Sequence, residues 1–145
     1  METKRITKKD LDENNFYKHS DSLEFDGHIE FEPNLGYVKF KAKLVSKKYI
    51  WFKAGSGIKA GEGIEAGSGI VAGWGIKAGW GIKAGWGIEA GGGIEAGEGI
   101  ITLFGSIIAK WLSCLRIAVG FNSIKTFYVQ AEIKKGNLIL GELKK

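Results

Sequence analysis

Residues 55 to 100 read GSGIKAGEGIEAGSGIVAGWGIKAGWGIKAGWGIEAGGGIEAGEGI, and the way this stretch repeats decides the fold. Isoleucine returns every six positions from Ile58 to Ile100. Alanine follows two places after each of the first seven isoleucines, from Ala60 to Ala96. A spacing of two puts both side chains on one face of an extended segment, so the residue between them points the other way. That residue is Lys59, Glu65, Val71, Lys77, Lys83, Glu89 or Glu95, which makes the opposite face mostly charged. A helix is excluded: a six-residue period draws no stripe at 3.6 residues per turn, and each interior glycine costs about 1 kcal/mol relative to alanine.

Each alanine is followed by Gly-x-Gly, read here as a corner where the missing Cβ admits positive φ or a tight bend. Three residues of strand and three of corner make one side of a solenoid coil. No single repeat covers its own isoleucine, so coils must stack for burial. A three-sided coil takes 18 residues and places Trp74, Trp80 and Trp86 at the three corners of one coil. A two-sided coil takes 12 and aligns Glu65, Lys77 and Glu89 in a ladder of alternating charge. Periodicity leaves both open.

Outward from the repeat, the fold class expected is all-β, a short solenoid of GxGIxA repeats capped by flanking strands. The chain divides into a charged arm at 1–20, a strand cap at 21–54, the solenoid at 55–101, and further rungs with a hairpin cap at 102–145, together one structural domain. In the upstream cap, Leu23 to Phe31 and Val38 to Leu44 alternate apolar with polar residues, and Glu32 to Gly36 forms the turn of a hairpin between them. Downstream, Ile107, Ala109, Trp111, Ser113, Leu115, Ile117 and Val119 share one parity and continue the rungs. An amphipathic helix over 100–121 is the rival reading, disfavoured by its β-branched content. The tail, Phe127 to Ile133 and Leu138 to Leu143, reads as a hairpin about Lys135-Gly136-Asn137. Residues 1–20 are read as a short helix or a disordered arm.

Composition narrows the class. The 145 residues include 23 glycines, one proline and one cysteine, Cys114, which is assigned to core packing and excludes an internal disulfide. The charged amino terminus lacks an apolar signal region, and no apolar run is long enough to span a bilayer, so the expectation is a cytoplasmic protein without a membrane partner. The net charge of +5 is uneven: residues 102–145 carry 7 basic and 2 acidic side chains, residues 55–101 carry 3 and 5.

The six-residue recurrence of isoleucine with small residues between resembles the hexapeptide-repeat left-handed β-helix family. That resemblance implies a coiled β-fold, and in many members an acyltransferase with a catalytic histidine and a coenzyme A groove between subunits. The repeat here contains no histidine, and His19 and His28 both lie upstream. Metal-dependent relatives of that family take three histidine ligands, which two histidines and Cys114 do not supply. The layout as a whole, from charged amino terminus through GxGIxAG to KKGNLILGELKK, resembles small bacterial and phage proteins.

No nucleophile, phosphate loop or sheltered carboxylate pair emerges, so no cofactor or metal is expected. What remains is Trp74, Trp80 and Trp86 at corner positions where other repeats carry serine, glutamate or glycine. Tryptophan is enriched at interaction hot spots, and Lys77 and Lys83 lie between the three. These five residues are the expected partner-binding set. The expected function is non-enzymatic binding through the solenoid exterior, to a protein or a protein and nucleic acid complex, with homo-oligomerisation open. The phage-like layout implies an inhibitor of a bacterial defence nuclease, anti-CRISPR-like, as its concrete form. The alternatives are a degenerate acyltransferase and a nucleic-acid-binding or structural solenoid.

Overall fold

A computed structural model describes residues 2–120 and 127–144 of the chain. They form a parallel β-solenoid of about six turns. In the repeat, every isoleucine and alanine of the pattern is buried. The strands are β7 (Ser56–Ala60), β8 (Ile64–Ala66), β9 (Ile70–Ala72), β10 (Ile76–Ala78), β11 (Ile82–Ala84), β12 (Ile88–Ala90), β13 (Ile94–Ala96) and β14 (Gly99–Thr102). Ile58 stacks on Ile76 and Ile76 on Ile94, which fixes an 18-residue coil of three sides. The two-sided alternative and its Glu65, Lys77, Glu89 ladder do not occur.

Upstream lie β1 (Thr3–Ile6), β2 (Leu23–Phe25), β3 (His28–Phe31), β4 (Gly36–Phe40), β5 (Leu44–Ser46) and β6 (Ile50–Phe52). Downstream lie β15 (Ile107–Ala118), β16 (Tyr128–Leu140) and β17 (Glu142–Leu143). Face I stacks β1, β3, β6, β9 and β12. Face II stacks β4, β7, β10 and β13, and face III stacks β2, β5, β8, β11 and β14. β15 bends around all three faces, placing Ile107 under Ile88, Leu112 under Ile94 and Ile117 under Ile100.

Several expectations for the flanks are corrected. The upstream segment is not a hairpin: β2 to β6 run parallel to the coils beneath them, and residues 32–35 form a corner. The tail is not a hairpin about Lys135 to Asn137 either, because β16 continues through those residues parallel to β15. A solenoid chain winds in one direction, so each strand meets its neighbour a full coil away in sequence. The single parity along 107–119 also fails: Trp111 is half-buried and Leu115 exposed, while Leu112 and Ala118 are buried, because the register of β15 shifts at each corner. Its inward positions recur every five residues, at Ile107, Leu112 and Ile117.

The arm is structured over its described residues, 2–20. β1 covers β3, a short 3₁₀ turn at Lys8–Asp10 follows, and the Asn15 amide donates to the carbonyls of Leu35 (2.8 Å) and Tyr37 (2.7 Å). Ile6, Leu11 and Tyr17 thereby join the core and close this end.

The reason for glycine in the corners also differs from expectation. None of the glycines from Gly57 to Gly105 has positive φ. At the first glycine of each corner the obstacle is the coil above: a Cβ on Gly67 would drive into the carbonyl of Lys47, and one on Gly85 into that of Gly67. At the second glycine of the corners between faces II and III there is room, with the nearest atom 3.5 Å from a Cβ on Gly63. Rung spacing therefore demands the first glycine of each corner after Gly55, while Gly55 itself, with φ +79°, is where the repeat does use backbone freedom.

Candidate interaction surface

Trp74 sits at the edge between faces I and II, Trp80 between II and III, and Trp86 between III and I. They are the three corners of one coil, with exposures of 45%, 51% and 58%. Lys77 projects from face II and Lys83 from face III, both exposed. The five expected residues therefore encircle the molecule. A flat partner meets one face with its two edges: Trp74, Lys77 and Trp80, or Trp80, Lys83 and Trp86.

Face II gathers more than the tryptophan reading anticipated. Lys39, Lys59 and Lys77 are direct neighbours in successive coils, with Glu95 next in line. Phe16 bridges to Lys39 at the head of this column. Lys39 Nζ lies 5.4 Å from the Phe16 ring centre and Lys59 Nζ 4.8 Å from that of Tyr37. Tyr37 lies over Gly57 and Gly75 and packs against Trp74 with ring centres 5.4 Å apart. Further down the same edge, Trp111 lies over Gly93, where any Cβ would collide with its ring. These glycines are the floor on which large rings lie flat. At the other edge Lys43 Nζ is 5.8 Å from the Trp80 ring.

Lys59 and Lys77 could have been aligned from the 18-residue coil alone. Lys39 could not, since it precedes Lys59 by 20 residues across a longer corner. Tyr37 and Trp111 carried no signal, because only the stacked structure shows which glycines they cover.

Face I differs in character. Its outward column runs Glu30, Trp51, Val71, Glu89, Ile108, and Tyr49 lies over Gly69 beside it. Face III presents Glu24, Val45, Glu65, Lys83 and Ile101, mixed in sign.

The grooves found among the described residues are open. A strongly apolar one, about 490 Å³, runs along face II over Ala60, Gly61 and Gly79. His19 pairs with Asp10 at 2.9 Å on the surface, and His28 accepts from the Tyr49 amide at 3.3 Å. Burial pushes the Cys114 thiol up, so at neutral pH it is a packed, protonated side chain. Among the described residues no three His, Cys, Asp or Glu side chains converge as metal ligands, and no helix is long and apolar enough to cross a membrane.

No protein family matches the chain, nor does any curated protein or solved structure.

Proposed function

We propose that this protein is a non-enzymatic binding module that engages its partner through the outside of the solenoid, with tryptophan-edged face II as the contact. The observation that carries the reading is the exposure of Trp74 and Trp80, 45% and 51%, at both margins of a face whose outward column begins with three lysines. Exposed tryptophan leaves a large apolar area in water, which a partner would remove. The described interior is filled mainly by isoleucine, alanine and phenylalanine, which leaves the exterior as the surface on offer to a partner. The partner class is a protein or a protein and nucleic acid complex. Its concrete form, an inhibitor of a bacterial defence nuclease, rests on the resemblance in layout alone.

The test compares bacterial proteins retained by the wild-type chain, by a Trp74→Ala/Trp80→Ala variant and by a Trp51→Ala/Trp86→Ala variant, all verified by circular dichroism. A partner lost only with the first pair, and re-bound by the purified wild type, supports face II. Identical recovery by all three removes the tryptophan edges from the function.

A further inference from the structure

We infer that face II carries a short track for a single-stranded nucleic acid, with Lys39, Lys59 and Lys77 holding successive phosphates and the flanking rings stacking bases. The inference deepens the proposed binding role by naming the chemistry of what lies on this face.

The first ground is the lysine column itself. Neighbouring strands are about 4.8 Å apart, so three ammonium groups start from backbone points within about 10 Å. Like charges facing each other across paired strands are destabilising. The remedy used elsewhere in the molecule is a carboxylate, as where Lys53 and Arg5 both meet Glu30. On face II only Lys77 has one, Glu95 at 3.6 Å; among the described residues Lys39, Lys41 and Lys59 meet no carboxylate within ion-pair distance. A bound polyanion would supply the missing charge, and release of its condensed counterions would favour binding.

The second ground is shape. The trough over Ala60, Gly61 and Gly79 is floored by residues with little or no side chain and rimmed by Lys39, Lys41, Lys59 and Lys77. A backbone can therefore approach the sheet closely while the rim closes on it.

The third ground separates nucleic acid from an acidic protein. Rings border the lysines on three sides: Phe16 at the head, Tyr37 with Trp74 along one edge, Trp80 along the other. Lys39, Lys59 and Lys43 already sit over three of those rings, which places cation and aromatic plane at one point. Phosphates with protruding bases use both at once. Base stacking on aromatic side chains contributes about 1–3 kcal/mol per base and requires unpaired bases, hence a single strand. The column turns acidic at Glu95, which ends the track after three lysines.

The test is fluorescence anisotropy of the purified chain with labelled oligothymidylate and oligouridylate, from about 50 to 200 mM salt. Three phosphate contacts predict that log K falls with log salt at a slope of about −2, at roughly −0.7 per contact for a single strand. Lys39→Gln/Lys59→Gln/Lys77→Gln should weaken binding at least about tenfold and flatten that slope. Lys47→Gln/Lys48→Gln, on the edge between faces III and I, should leave both unchanged. Trp74→Ala should weaken binding about five- to tenfold without altering the slope, as loss of one stacked base does. Absence of binding at about 50 mM salt, equal binding by the triple-lysine variant, or equally tight binding of polyglutamate or heparin would each overturn the inference. Because this assay uses the purified chain alone, a negative result leaves the comparison of retained bacterial proteins standing, and the converse also holds.

Discussion

The middle coils and the end coils solve the same burial problem with different side chains. Between Ser56 and Thr102 the interior is isoleucine with alanine, every side is six residues long and every coil is 18. Towards the amino-terminal end alanine gives way to Phe31, Phe40 and Phe52, with Phe31 and Phe52 stacked at 4.0 Å and Phe31 edge-on to Phe40 at 6.3 Å. The offset between paired residues grows there to 20 and then 21, the added residues all falling in the corner between faces I and II. Residues 3–17 then lie across this plug. At the other end β17 covers only Val129 and its neighbour, while Ile133 and Leu138 stay half-buried and Ile139 is 59% exposed. Uniform repeats extend a solenoid but cannot finish it. Finishing takes irregular sequence, which the amino-terminal coils supply with their aromatic interior.

The largest expected effect tests the plug. Phe52→Ala should cost about 3–5 kcal/mol in urea unfolding, because the rigid coils around it cannot collapse into the space. A loss under about 1 kcal/mol would mean that the aromatic plug is not what secures this end. In the middle coils Gly67→Ala should cost about 3 kcal/mol, since its Cβ meets the backbone of Lys47, whose amide is tied to the Phe25 carbonyl at 3.0 Å. Gly63→Ala serves as the partner measurement. It is expected within about 1 kcal/mol of wild type, and equal losses at the two sites would refute the steric account of the corners.

In β16 the effect should be smaller. Ile133→Ala should lower stability by only about 1 kcal/mol, because a half-buried side chain leaves no closed cavity. The smallest effect concerns pH at the capped end. Partial burial pushes the Asp10 carboxyl up, but the Thr7 amide at 2.9 Å and the neighbouring His19 imidazole outweigh it and hold the carboxyl below its usual range. A depressed folded value means the contribution is present above the unfolded value near 3.8 and is lost as pH falls through the folded one. The protection of residues 3–11 against hydrogen exchange, relative to the free-peptide rate at each pH, should therefore fall below about pH 4, and Asp10→Asn should remove that fall.

Much of this fold is legible in one dimension. The Ile-x-Ala spacing declares which side chains point inward, and all of them do. The sequence puts Trp74, Trp80 and Trp86 in the corners but leaves open whether the rings fold back over the coil, and only the structure shows them exposed. The hairpins expected in the flanks fail for a specific reason. Alternating segments such as Leu23–Phe31 look alike whether the next strand returns antiparallel or winds on, and alternation carries no information about direction. The glycines mislead in a similar way, because φ is a local property whereas the contact between Gly67 and Lys47 spans a coil.

What the sequence determines by itself is therefore the period, the inward and outward sides of each strand, and the need for stacked coils, all consequences of a two-residue pleat and a six-residue repeat. Which outward residues become neighbours is decided only in three dimensions. Three-sided closure joins Lys39, Lys59 and Lys77 and sends the three tryptophans to different edges, because register between coils depends on corner lengths and interior bulk summed over a full turn.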